Sequence, residues 1–256
     1  MRHLLRVRHG ESLWNAEGRI QGQACAGLSP RGHDQAHALA SSYGPALHLL
    51  LEVDATAVRI VSSDLQRAAE TAAPLSVSLG IAAEHDPRLR ERSFGRWEGL
   101  SHAELVAREP ERYQRWTTGG DVMREIGAET AAELAERVAP TLAALLRSTP
   151  LGGVTVAVSH GGSIWHGLHR LLGLRPRSLG PVGNASVAEL LLFVEEEDGP
   201  PVPDEATTAD GDGGATTRTG PHPILASFND LAHLPPDLRT GGFAAGTTSD
   251  AVPQMR

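Results

Sequence analysis

Short apolar runs alternate along this chain with longer stretches whose apolar residues recur at helical spacing. Residues 3–7 read as a first strand that ends at Arg8. Residues 30–51 read as a helix opening at Ser29-Pro30, with the proline in a tolerated first-turn position. Residues 57–61 (Ala-Val-Arg-Ile-Val) read as a second strand. Asp64 then serves as N-cap of a helix from Leu65 to about Ala73, which Pro74 interrupts or kinks. Residues 81–100 are mixed and loop-rich, and short helices cover 101–116. A strong helix spans 129–148, rich in Ala, Leu and Glu, and stops before Thr149-Pro150. Residues 153–158 form the clearest buried strand. Gly161-Gly162 follow, then a helix to Leu172 with Gly173 as its C-cap. Residues 186–194 complete the set as a further strand.

This order predicts an α/β fold around a mostly parallel sheet. Residues 195–222 have a different composition, Gly, Pro, Thr, Asp and Glu with almost nothing to bury, and read as a flexible loop or linker. Apolar character returns at 223–234, a piece suited to dock on the domain at a sheet edge. The expected organisation is a domain over 1–194, a linker over 195–222, and a C-terminal extension over 223–256 that is partly docked and ends in a loose tail.

Composition narrows the function. Of 256 residues, 40% are hydrophobic and 21% charged, as in an ordinary globular protein. Aromatics are only 4%, so Ala, Leu and Val carry the packing. The net charge of −8 argues against nucleic acid as a partner but leaves room for a local arginine cluster that binds an anion. No run approaches the length of a membrane span. The single cysteine, Cys25, allows no internal disulfide, and the short apolar start is no signal peptide; both point to a cytoplasmic location.

The chemistry-bearing residues gather at three strand ends: Arg8-His9-Gly10-Glu11, Ser62-Ser63-Asp64-Leu65-Gln66-Arg67, and Ser159-His160-Gly161-Gly162. Ligands of open parallel sheets bind beyond the carboxyl ends of the strands. If these strands are neighbours, two histidines and two arginines converge into a site for a phosphate dianion. The arginines supply paired donors, and Gly10 and Gly161 let backbone approach. A neutral imidazole can then be the nucleophile, and a separate carboxylic acid must protonate the leaving alkoxide. Glu91 is a candidate for that acid, but spacing alone does not single it out among 31 acidic residues.

Arg8-His9-Gly10-Glu11-Ser12 with Asn15 resembles the opening motif of the histidine phosphatase superfamily, the phosphoglycerate-mutase-like proteins. Gly18-Arg19-Ile20-Gln21-Gly22-Gln23, the Ser62 to Ala68 segment, Leu89-Arg90-Glu91, Phe94 to Gly99, Ser159 to Gly162 and Asn184-Ala185-Ser186-Val187 continue the match in order, over roughly residues 1–194. The resemblance implies a three-layer α/β/α fold. It implies that His9 is phosphorylated, that Arg8, Arg67 and His160 bind the transferring group, and that Glu91 acts as proton donor and then base. It also implies that Asn15 contacts the phosphate, that Gly22 or its neighbours add backbone contacts, and that neither cofactor nor metal takes part. Ser12 stands where many members carry Thr, and Gly127-Ala128-Glu129-Thr130 where many carry Gly-Gly-Glu-Ser.

The expected activity is metal-independent hydrolysis of a small phosphate monoester through a phosphohistidine at His9. Two alternatives stay open: a phosphoglycerate mutase, and a non-catalytic module that binds a phospho-ligand. Mutases typically carry a His-Tyr-Gly-type segment after the acid, where this chain has Arg92-Ser93-Phe94-Gly95. Selectivity is assigned to residues 92–130, and a homodimer is left open. His33, His37, His48, His85 and His102 read as surface or half-buried residues, and Trp97, Trp116 and Trp165 as packing. His166 and His169, three apart on a helix, lack the companions of a metal site. Cys25 and Arg31 have the spacing of cysteine-dependent phosphatases. No strand precedes Cys25, however, and Pro30 removes a backbone donor that such a phosphate cradle needs.

Overall fold

The structure, a computed structural model, describes residues 1–24, 27–194 and 222–240. Six strands form one sheet: β1 (Arg2–Arg8), β2 (Val58–Ser62), β3 (Glu84–His85), β4 (Val154–Ser159), β5 (Val187–Leu192) and β6 (Ile224–Asp230). Their order is β3-β2-β4-β1-β5-β6. The first four are mutually parallel, and β5 runs antiparallel to both β1 and β6. The helices are α1 (Leu13–Ala16), α2 (Pro30–Val53), α3 (Gln66–Leu79), α4 (His102–Arg108), α5 (Pro110–Thr117), α6 (Ala131–Ser148) and α7 (Gly161–Leu172).

Side-chain alternation along β1 explains the layering. Leu5 and Val7 join Leu39 and Leu47 of α2 and Leu75 and Leu79 of α3 in one core. Leu4 points the other way, into a second core with Leu134, Val138 and Leu142 of α6 and Ile164 and Leu168 of α7. The result is the expected α/β/α sandwich with a mostly parallel sheet. A third cluster, centred on the fully buried Trp97 with Leu105, Val122, Met123 and Ile126, builds a separate lobe from residues 94–128.

Two local expectations are corrected. Asp64 does not cap α3: Leu65 occupies the N-cap without a side-chain bond. The Asp64 carboxylate is taken instead by Arg90, whose Nε donates to it at 2.7 Å. Nor does the helix stop near Ala73, for it continues through Pro74 to Leu79. Interior proline costs ~3 kcal/mol or more. Burial of Leu75 and Leu79, at ~1.5–3 kcal/mol each, offsets that cost.

β6 is the edge strand beside β5, with pairs such as Leu190 to Leu225. Residues 195–221, 241–256 and Cys25 lie outside the described residues, and with them the proposed linker, the tail and the cysteine reading.

Candidate active site

β4 sits between β1 and β2, so the three segments leaving their carboxyl ends meet at one edge of the sheet. His9 extends β1 by one residue, its N–H donating to the Ser159 carbonyl at 2.9 Å. It is 2% exposed. Its Nδ1 lies 2.6 Å from the Gly10 carbonyl, which requires a proton on Nδ1. Nε2 therefore carries the lone pair, and Arg67 Nε donates to it at 3.2 Å. Burial, reinforced by the charges of Arg67 and Arg8, holds the imidazole well below the usual histidine pKa. A buried, neutral, oriented imidazole is what nucleophilic attack needs.

Arg67 leaves the first turn of α3 and is anchored by the carbonyls of Ala24 at 3.1 Å and Gly22 at 2.8 Å. Gly22 has φ +57°, and a Cβ there would stand 2.1 Å from Glu98 Oε1, so the turn that presents its carbonyl demands glycine. His160, fully buried at the end of β4, faces His9 at 5.1 Å between ring centroids. Its Nε2 is 2.9 Å from Ser63 Oγ, and its Nδ1 has no partner among the described residues. Burial and the charge of Arg67 keep it neutral as well. Arg8 donates to the Val182 carbonyl, and desolvation lowers its pKa to about 10. Gly161 packs against it: a Cβ there would lie 3.4 Å from Arg8 Nε.

Glu91 is held at the start of α7. Its Oε2 accepts from Gly162 N at 2.9 Å and its Oε1 from Arg92 N at 2.8 Å. It lies within electrostatic reach of Arg8. Asn15 is tied in through Asn184, whose Nδ2 donates to Asn15 Oδ1 at 3.2 Å and to the His9 carbonyl at 3.3 Å. The arrangement thus gathers two neutral imidazoles, two cations and a carboxyl group. Such a set suits phosphoryl transfer from a monoester.

The sequence reading had no role for Ser63 or Asn184, which position His160 and Asn15. It also missed Arg6, fully buried in β1 and donating at 2.6 Å to Ser159 Oγ. The signal available was a cation inside an otherwise apolar strand. His33, His37, His48 and His85 are exposed and His102 is half-buried, away from this cluster. Among the described residues, no group of three or more His, Cys, Asp or Glu side chains could hold a metal ion. No helix among them is long and apolar enough to cross a membrane.

A three-layer sandwich with two buried histidines between arginines defines a phosphoryl-transfer class of protein. The family model for the histidine phosphatase superfamily (branch 1) matches residues 4–199, and the chain belongs to that superfamily. A glucosyl-3-phosphoglycerate phosphatase of Mycobacterium tuberculosis is 37% identical over 199 residues, covering 74% of this chain and 85% of that protein. A probable phosphoglycerate mutase of Yersinia enterocolitica is 34% identical over 173 residues, covering 67% of this chain and 75% of that protein. The solved structure of a mycobacterial glucosyl-3-phosphoglycerate phosphatase complexed with VO3 superposes with a TM-score of 0.64 at 35% identity, covering 76% of this chain and 93% of that one.

Proposed function

We propose that this chain is a metal-independent phosphatase that hydrolyses a phosphate monoester of a small metabolite, with a phosphorylated glycerate derivative as the first class to test. The observation that carries this reading is the state of His9: Nδ1 fixed on the Gly10 carbonyl at 2.6 Å, with the Nε2 lone pair facing the guanidinium of Arg67 at 3.2 Å.

In the first half-reaction Nε2 of His9 attacks phosphorus and the bond from phosphorus to the ester oxygen breaks. Glu91, protonated at that moment, gives its proton to the departing alkoxide. Arg8 and Arg67 neutralise the equatorial oxygens, and His160 donates a hydrogen bond to one of them. In the second half Glu91 takes a proton from water, which attacks the phosphohistidine and releases inorganic phosphate and free His9. Asn15 and the carbonyl of Gly22 keep the loop and Arg67 in place. The phosphatases among the relatives support hydrolysis over transfer to a second hydroxyl, as does Arg92-Ser93-Phe94-Gly95 after the acid. A cytoplasmic location goes with this reading on the single cysteine of the sequence.

The test is phosphate release from a panel of monoesters, with chelator present, by wild type and His9→Ala. Turnover in the wild type, abolished in the variant and blocked by vanadate, supports the reading. Turnover that survives His9→Ala sinks it. Interconversion of 2- and 3-phosphoglycerate without net phosphate release makes the protein a mutase, and binding without any turnover makes it a phospho-ligand module.

A further inference from the structure

The buried cation of β1 has no part in the phosphoryl-transfer steps. Arg6 is fully buried, and its Nη2 donates to Ser159 Oγ at 2.6 Å. Its Nε and Nη1 have no partner among the described residues. No carboxylate among them offsets the desolvation that lowers its pKa. Other buried arginines are better placed: Glu91 lies within electrostatic reach of Arg8, and Glu91, Glu129 and Asp121 within reach of Arg92. An apolar side chain of similar length would cost the fold less at position 6. Positions that break a folding rule in this way concentrate at functional sites.

The backbone shows where that charge is directed. Arg6 and Arg8 lie two residues apart on β1, so their side chains leave the same face of the sheet. Across the pairing of β1 with β4, Arg6 stands opposite Ala157 and Arg8 opposite Ser159. The bond from Arg6 to Ser159 therefore carries its guanidinium one step along the strand, toward the site. Ser159 borders both histidines: its carbonyl accepts the His9 N–H at 2.9 Å, and the next residue is His160. The charge of Arg6 falls on His160, together with those of Arg67 and Arg8. With no exposed surface, Arg6 cannot touch a ligand, so what it contributes to the site is charge at a distance.

We propose that Arg6 is a third cation of the phosphoryl site, one that never touches the substrate and that favours a doubly charged oxyanion over a singly charged one. This rests on the reading of the site as one that binds a phosphoryl group at His9. Arg8 and Arg67 supply donors, and donors recognise shape as well as charge. A buried cation behind them acts on charge alone. At an effective dielectric constant of ~20 and a separation of ~10 Å, one unit of charge changes the binding of each opposite unit by about tenfold. Salt screens it little, because the guanidinium is closed off from solvent. A singly charged anion gains that factor once, and a doubly charged anion gains it twice.

The test compares sulfate with methanesulfonate, tetrahedral anions of similar size that carry two charges and one at neutral pH. Both, and inorganic phosphate, are titrated by calorimetry into the wild type and into two neutral variants, Arg6→Met and Arg6→Gln. Thermal melts check that the variants fold. The wild type prefers sulfate, and each neutral variant cuts that preference by about tenfold. Ser159→Ala removes the anchor but keeps the charge, and it retains most of the preference. A preference untouched by both Arg6 variants overturns the proposal. So does an equal weakening of both anions, which marks a distorted site rather than a lost charge, and so does a loss in Ser159→Ala as large as in Arg6→Met. A wild type that binds none of the three anions refutes the phosphoryl-site reading and this proposal with it. A wild type that binds them but hydrolyses no monoester refutes the phosphatase reading alone, and the sulfate preference still decides the role of Arg6.

Discussion

Arg6 offers a test of how much unpaired charge this fold carries. Its side chain leaves β1 between Ala157 of β4 and Ala188 of β5, whose small side chains make room for it. It is fully buried, and only Nη2 finds a partner, Ser159 Oγ, while Nε and Nη1 have none among the described residues. Desolvation lowers its pKa from 12.5 to about 9. At neutral pH that displacement corresponds to a penalty of about 5 kcal/mol on the folded state. Arg6→Met keeps most of the stem and removes the charge. Against the recovered penalty stand the lost bond to Ser159, ~1.5–3 kcal/mol, and a small void where the guanidinium was, ~1 kcal/mol. The net expectation is a variant more stable by about 1–3 kcal/mol, as for other buried charges replaced by apolar groups. Urea unfolding at pH 7.5, followed by circular dichroism, reads this as a higher midpoint at unchanged slope. A Met variant less stable than wild type by 1 kcal/mol or more refutes the reasoning, because the guanidinium would then be compensated in the folded state.

Three other expectations follow from the site. Glu91→Gln lowers kcat by about 10²–10⁴ on alkyl phosphates and by less on p-nitrophenyl phosphate, whose leaving group needs little proton assistance; equal losses on both would contradict its role as acid. Gly162→Ala places a Cβ 2.3 Å from Glu91 Oε1, so it displaces the carboxylate and cuts kcat on alkyl phosphates at least about tenfold, which steady-state assays check. Stability falls between pH 6.5 and 4.5: burial lowers the pKa of His166 to about 4 and keeps those of His9 and His160 lower than normal, so below 6.5 the unfolded chain binds protons that the folded chain does not. His166 alone contributes a loss of up to about 3 kcal/mol by the bottom of that window, and a flat profile of unfolding free energy from pH 7.5 to 4.5 would contradict it.

What was legible in the sequence is what local pattern decides. The apolar runs of β1 and β4, the Gly173 cap in the left-handed conformation, and the placement of His9, Arg67 and His160 after strand ends all depend on a few neighbouring residues. Asp64 was misread because a residue suited to capping was claimed by Arg90, 26 positions away, a partner no local rule supplies. Pro74 was misread because the burial of Leu75 and Leu79 outweighs the broken bond. Glu91 was singled out only by resemblance, since its site is made by the start of α7, far along the chain. His166 reads as an ordinary helix histidine in one dimension, and its unpartnered Nε2 exists only once α7 packs on segment 90–92.

These observations share an electrostatic logic. The chain is acidic overall at −8, yet its centre holds Arg6, Arg8 and Arg67 around two histidines. Cations in close company with imidazoles keep the imidazoles neutral, and a nucleophile must be neutral. Two of these cations find only neutral acceptors: Arg8 a backbone carbonyl and Arg6 a hydroxyl. A doubly charged phosphoryl group arriving at His9 supplies the missing negative charge where it is strongest, beside the lone pair that must attack. The ground state of the free protein is thereby poorly compensated, and the charge developing on the transferring oxygens meets donors that need no rearrangement. A site of this kind binds an anion because the fold has already met the cost of burying its cations, and it reacts because burial has left its nucleophile unprotonated.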